Sequence, residues 1–131
     1  MIEESNVITD NKFQEIKSMS SRIILFYQDE IVYNQTNLKK EELQAMSKMF
    51  DNDTSTTLSS GITIDDQQFI VQRQFTDMIT ARRGDESSGE GLAIIKVPTK
   101  NNKTIYMICT FKMPILSARI IPIMKEYCQG Y

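Results

Sequence analysis

The chain has 131 residues, of which 40% are hydrophobic and 24% charged, and its formal net charge at pH 7 is −2. These values predict one globular domain without a strong overall attraction to nucleic acid or to an anionic membrane. Histidine is absent, so the commonest general base and the commonest zinc ligand are missing, and an enzyme is disfavoured.

The N-terminal segment is mostly polar as far as residue 11, and we expect it to be a poorly anchored, flexible extension. It lacks the basic and apolar regions of a signal peptide, which indicates a cytoplasmic protein. Asp10 or Asn11 then provides the N-cap of a helix in which Phe13, Ile16 and Met19 share one face.

A hairpin and a second helix follow in the first half. Residues 23–27 and 31–33 are rich in β-branched and aromatic side chains, and the polar residues 28–30 between them predict a tight turn. Asn37 is a candidate cap for a helix whose apolar stripe contains Leu43, Met46 and Phe50. Residues 51–60 are nearly all Asp, Asn, Ser and Thr, which predicts an exposed loop.

The second half contains short strand patterns separated by turns. They cover residues 62–64, 69–71, 78–81 and 92–97. The loop from Arg83 to Glu90 contains two glycines but three carboxylates, which would repel a phosphate group. It is therefore interpreted as a flexible hairpin loop.

The strand from Thr104 to Lys112 is the one that we expect in the middle of a sheet. One face carries Ile105, Met107, Cys109 and Phe111, and the other face is largely apolar too, so both faces need cover. Behind Pro114, apolar side chains recur at helical spacing, and they are Leu116, Ile120, Ile123, Met124 and Tyr127. Pro122 is tolerable in this last helix only if the helix begins near Ser117 or Ala118. The order of elements predicts an α+β domain.

Few residues of the chain suggest a reactive or metal-binding site. Cys109 and Cys128 are expected to be buried free thiols, and a disulfide between them is the alternative because both could face the same layer. The sequence around Asp51 and Asp53 lacks the later glutamate of a calcium loop, so no metal is expected there. We expect no catalytic residues and no cofactor.

Several strings and their order resemble the profilin family of small actin-monomer-binding proteins. Residues 40–51 are similar to the profilin helix that is written Pro-Glu-Glu-Ile-x-x-Ile and ends in Phe-Asp. Residues 61–71 are similar to Gly-Leu-x-Leu…Tyr-Met-Val, and residues 82–96 to Lys-Lys-Gly…Gly-x-x-x-x-Lys. The C-terminal strand, Pro114 and the helix before Tyr131 resemble the end of the family's sequence. The likeness runs from about Phe13 to the C-terminus.

The resemblance implies a central sheet of about seven antiparallel strands, with the N- and C-terminal helices on one face and a second helical layer opposite. It also implies that the chain regulates actin polymerisation by binding actin monomers through strands of its second half and the start of the last helix. The residues carried over to this surface are Phe69, Val71, Arg73, Arg82, Arg83, Lys96, Lys112, Met113, Ala118 and Arg119. The basic residues of this surface could also hold a phosphoinositide headgroup.

One departure from the family is the absence of tryptophan. Profilins usually have two tryptophans that stack on proline-rich peptides together with aromatic residues of the last helix. In this sequence the corresponding positions fall near Phe13 and Tyr33, with Tyr127 and Tyr131 opposite. The resemblance therefore implies a weakened site for proline-rich peptides, although these rings could equally well only cover the sheet edge. In this respect the chain resembles the divergent profilins of protists or archaea.

Two other classes of domain have a similar order of elements. Roadblock- and longin-type domains, which are scaffolds for small GTPases, also pack an antiparallel sheet against helices and are the main alternative. A small-ligand sensor domain is a third interpretation. The scaffold domains do not explain Arg82-Arg83-Gly84 with Lys96, or the aromatic residues at the chain ends.

Overall fold

A computed structural model describes residues 3–27, 30–85 and 88–131, so the predicted turn at 28–30 and the loop at 83–90 lie partly outside the described residues. The helices are α1 (Glu4–Ile8), α2 (Asn11–Met19), α3 (Lys40–Lys48), α4 (Thr54–Ser60) and α5 (Ser117–Cys128), and a 3-10 turn (Met49–Asp51) follows α3. The strands are β1 (Arg22–Tyr27), β2 (Ile31–Asn34), β3 (Ile62–Ile64), β4 (Gln67–Gln74), β5 (Met78–Arg83), β6 (Glu90–Pro98) and β7 (Thr104–Phe111).

The seven strands form one sheet in the order β2-β1-β7-β6-β5-β4-β3. Every neighbouring pair is antiparallel. The strand β7 lies between β1 and β6, and Ile108 is paired with Ile24 on one side and Ile94 on the other. The predicted position of this strand in the interior of the sheet is therefore confirmed.

Helices cover both faces of the sheet. The face that packs against α2 and α5 is here called the α5 face, and its core contains Met107 and Cys109 of β7. The opposite face, here called the α3 face, packs against Leu43 and Met46 of α3 and contains Ile108. Burying each large apolar side chain stabilises the fold by about 1.5–3 kcal/mol relative to leaving it exposed. The predicted α+β architecture with two helical layers is confirmed.

The N-terminal segment differs from the expectation of a poorly anchored extension. The structure places α1 there, and the side chain of Val7 is fully buried in the core of the α5 face. One buried apolar residue in a polar stretch shows no helical period, so the sequence did not indicate this helix. The carboxylate of Asp10 caps α2 as predicted and accepts hydrogen bonds from the N–H groups of Lys12 (2.8 Å) and Phe13 (3.1 Å).

Two predictions for the middle of the chain are wrong. Asn37 does not cap the second helix, because α3 begins after Lys39, whose N–H donates to the Glu42 carboxylate at 3.2 Å. The predicted exposed loop at residues 51–60 contains α4, which Asp53 caps. In α4 the hydroxyl of Thr57 is buried and donates to the carbonyl of Met49 at 3.2 Å. Tertiary packing here overrides the low helix propensity of Ser and Thr.

The last helix begins at Ser117, which satisfies the condition that Pro122 imposes. Leu116, however, precedes the helix and is 54% exposed, so it is not part of the buried stripe. Both cysteines are buried and free, as predicted. Burial raises the pKa of Cys109 to about 12 and also raises the pKa of Cys128. Among the described helices, none is long and apolar enough to cross a membrane.

Candidate functional site

An open groove of about 410 Å³ lies between the outer strands of the sheet and the first half of α5, and we call it the α5 groove. The last helix packs on β6 and β7, so it leaves the same face of β4 and β5 open. Side chains from both strands and from the helix line the groove, and they include Arg73, Phe75, Met78, Arg82, Ser117 and Ile121.

The pairing of β4 with β5 determines which side chains point to the α5 groove. Ile70 is paired with Arg82, and Arg73 is paired with Thr80, with a β-bulge between Val71 and Arg73. Directly paired residues of an antiparallel sheet lie on the same face. Ile70, Arg73, Thr80 and Arg82 therefore share the α5 face.

The rim of the groove combines exposed apolar and basic side chains. Ile70 is 69% exposed and Phe75 is 47% exposed. The segment 112–119, which leads from β7 into α5, adds four exposed side chains that the sequence predicted for this surface, and they are Lys112, Met113, Ala118 and Arg119. A mixed surface of this kind is suited to a protein partner with acidic groups around an apolar contact.

Four predicted contact residues lie on the α3 face instead, and in this respect the expectation of one common surface is corrected. Phe69 and Val71 are 0% and 3% exposed and belong to the core of the α3 face, so they offer no contact area. Arg83 and Lys96 also lie on the α3 face, because Arg83 is paired with Glu90 and Lys96 is paired with Tyr106. The ammonium of Lys96 lies 5.4 Å from the centroid of the Phe50 ring.

The physical reason is the alternation of side chains along a strand. Because Arg82 faces the groove, Arg83 must face the opposite way. The same alternation places Ile70, and not its neighbours Phe69 and Val71, on the open face. Sequence reasoning missed Ile70 and Phe75. The period of two along β4, with apolar Phe69 and Val71 on one face, would have identified Ile70 as a residue of the other face, but nothing in the local sequence pointed to Phe75.

On the α3 face, Arg83 belongs to a buried ion network around Glu90. The Oε1 atom of Glu90 lies 2.5 Å from Nη2 of Arg22 and 2.9 Å from Nη2 of Arg83. Although burial disfavours the charged carboxylate, hydrogen bonds and the charge of Arg22, supported by Thr110 and Arg83, hold the pKa of Glu90 below its usual value. Arg22 also reaches Asp65 at 3.3 Å. This network ties β1, β5 and β6 together and is structural.

The four predicted peptide-binding rings are brought together on the α5 face, between α2, β2 and the end of α5. The ring of Phe13 lies 5.2 Å from Tyr33 and 5.6 Å from Tyr127, and Tyr127 lies 5.4 Å from Tyr131. The hydroxyls of Tyr127 and Tyr131 are hydrogen-bonded to each other. Phe13 lies beneath the others as expected, but Tyr127 is only 4% exposed, which leaves Tyr33 and Tyr131 as accessible faces.

The comparisons with known proteins agree with this architecture. The fold is similar to that of profilin II of Acanthamoeba castellanii, with a TM-score of 0.66 at 13% identity over 86% of this chain and 84% of that chain. It is also similar to LokiProfilin2 in a complex with rabbit actin, with a TM-score of 0.69 at 13% identity over 98% of this chain and 95% of that chain. No curated protein matches the sequence.

A family model decides between the interpretations that the sequence left open. The model of the profilin family matches residues 5–124, which is nearly the whole chain. The match favours this family over the roadblock- and longin-type alternative and confirms the predicted resemblance. The chain therefore belongs to the profilin family.

Proposed function

We propose that the chain binds an actin monomer through the α5 groove and its rim and thereby regulates actin polymerisation. The main support is that exposed basic and exposed apolar side chains lie on the same open face. Arg73, for example, lies beside Ile70 and Phe75. Membership in the profilin family and the similar fold of a profilin solved with rabbit actin support it.

The physical properties of the surface are consistent with a specific protein contact. A stable interface covers about 800 Å² on each partner, and the groove with its rim on two strands and a helix offers a continuous surface for it. Basic groups at the rim mainly raise the association rate, while the apolar centre holds the complex. The groove residues on β4, β5 and α5 are part of regular elements, so little ordering is needed on binding.

The test is a charge reversal on the proposed surface with a matched reversal on the other face. The double variant Arg73→Glu, Arg82→Glu should weaken binding of monomeric rabbit actin by about 2 kcal/mol or more, because like charges would meet across the contact. Titration calorimetry measures the affinity, and actin assembly with each variant measures the regulation. A thermal unfolding curve confirms that the variant is folded.

The control is Lys40→Glu, which reverses an exposed charge at the start of α3, in the helical layer of the opposite face. It should leave the affinity for actin unchanged. Weaker binding by Lys40→Glu together with unchanged binding by the double variant would place the contact on the α3 face and refute the proposed surface. An unsubstituted chain that does not bind actin would refute the function. Phosphoinositide binding by the same basic residues and a cytoplasmic location stay predictions.

A further inference from the structure

The β-bulge in β4 changes which residues reach the α5 face near the end of the strand. Val71 is paired with Ala81 and Arg73 with Thr80, so Gln72 is the extra residue. Without the bulge, simple alternation from Ile70 would place Gln72 and Gln74 on the α5 face. With it, Gln72 still lines the α5 groove, and Arg73 and then Phe75 also lie on this face, since a bulge shifts the alternation by one residue.

Gln74 confirms the shifted alternation, because it points the other way. It is paired with Ile79, a core residue of the α3 face. Its Nε2 atom donates to the carbonyls of Asn52 at 3.0 Å and Met49 at 3.3 Å. The next residue, Phe75, therefore lies on the α5 face.

Phe75 is held by backbone hydrogen bonds at the turn between β4 and β5. Its N–H donates to the carbonyl of Met78 at 2.7 Å, which closes the turn. The turn is fixed to β6 as well, because the N–H of Lys96 donates to the carbonyl of Asp77 at 2.9 Å. Despite this fixed backbone, the Phe75 side chain is 47% exposed and belongs to neither core cluster of the described residues.

Two cavities meet at this side chain. Phe75 and Met78 line the α5 groove, and they also line a second cavity of about 680 Å³ beyond the hairpin. Phe50 and Lys125 belong to the second cavity. Together the two cavities form a continuous surface from Ser117 at the start of α5 to Lys125 in its last turn.

We propose that the actin contact extends along α5 to the hairpin tip, and that Phe75 is an apolar anchor residue of this contact. The inference rests on the proposed function and names a residue that the resemblance to the family did not indicate. The same actin monomer is the occupant, because the second cavity is continuous with the groove and shares Phe75 and Met78 with it. An aromatic side chain on a fixed backbone loses little conformational entropy on binding and is a typical centre of binding energy.

The experiment compares Phe75→Ala with the unsubstituted chain by titration calorimetry with monomeric rabbit actin. We expect the dissociation constant to rise about tenfold, which corresponds to about 1.4 kcal/mol. The midpoint of thermal unfolding should change little, because about half of the side chain is already in solvent. Phe75→Leu keeps an apolar contact and should recover most of the affinity.

The matched control is Ile31→Ala, which removes a 38% exposed side chain from β2 at the far edge of the sheet. It should leave the affinity unchanged.

The inference is overturned if Phe75→Ala binds as tightly as the unsubstituted chain while the double variant Arg73→Glu, Arg82→Glu binds weakly. The contact then ends before the hairpin, but the proposed function stands. A loss of affinity that accompanies a lowered unfolding midpoint would assign the effect to folding and also overturn the inference. If the charge reversal has no effect either, the proposed surface itself is refuted.

Discussion

Arg82 and Arg83 are neighbours in the sequence and lie on opposite faces of β5. Arg82 is paired with Ile70 and lines the α5 groove, whereas Arg83 is paired with Glu90 and lies in the ion network of the α3 face. The dibasic sequence therefore combines a surface residue with a structural residue. Substitutions of the two arginines should have different consequences.

The first prediction concerns the stability that the ion network provides. Arg22→Gln should lower the free energy of unfolding by about 3 kcal/mol, because it removes a main partner of the buried Glu90 carboxylate. Arg73→Gln, which changes an exposed arginine on the α5 face, should change it by no more than about 0.5 kcal/mol. Urea denaturation of both variants measures the difference. Equal and small effects would show that the network does not stabilise the fold.

The second prediction concerns the dependence of stability on pH. Burial alone would raise the pKa of Glu90, but hydrogen bonds from Arg22, Thr110 and Arg83 together with the charge of Arg22 hold the folded pKa below its ordinary value of 4.5. A depressed folded pKa means that the network contributes fully above pH 4.5 and that this contribution is lost as the pH falls through the folded pKa. The free energy of unfolding should therefore decrease below about pH 4.5.

The variant Glu90→Gln separates this effect from other acidic groups. It should be less stable at neutral pH and should show a shallower decrease in acid. The decrease should not vanish, because hydrogen bonds from Thr56 also lower the pKa of Asp53, the cap of α4, below its ordinary value of 3.8. Urea denaturation between pH 7 and pH 3 provides the measurement. An unchanged slope in the variant would contradict the assignment to Glu90.

The third prediction concerns proline-rich peptides. Because Phe13 and Tyr127 are buried, only Tyr33 and Tyr131 can stack on a peptide, and the dissociation constant should be on the order of hundreds of micromolar or weaker. Titration with a polyproline peptide, followed by amide chemical shifts, should affect residues around these two rings. Tyr131→Ala should remove the effect.

A matched variant for this experiment is Tyr127→Phe. It keeps the buried ring and removes only the hydroxyl that is bonded to Tyr131, so peptide binding should persist. Shifts along β4 and β5, or none at millimolar peptide, would mean that the aromatic cluster is only structural.

Local patterns in the sequence were sufficient for much of the fold. The two apolar faces of residues 104–112 predicted an interior strand, since a strand without a polar face needs cover on both sides. Asp10 predicted the start of α2 because a cap acts on residues two or three positions away. The profilin-like strings and their spacing predicted the family. In each case the determining interaction is local or repeats with a fixed period.

Tertiary structure alone decided the rest. The helix α4 forms in a stretch of Ser and Thr because Thr57 is buried against Met49, and α1 forms around the single buried Val7. The partner of Glu90 is Arg22, 68 positions away in the sequence. Phe75 reaches the α5 face only because a bulge adds one residue to β4, and a count of alternating residues cannot show where such an insertion occurs. The sequence by itself determined which segments become strands and to which family the chain belongs, whereas contacts between distant segments decided which side chains remain exposed for a partner.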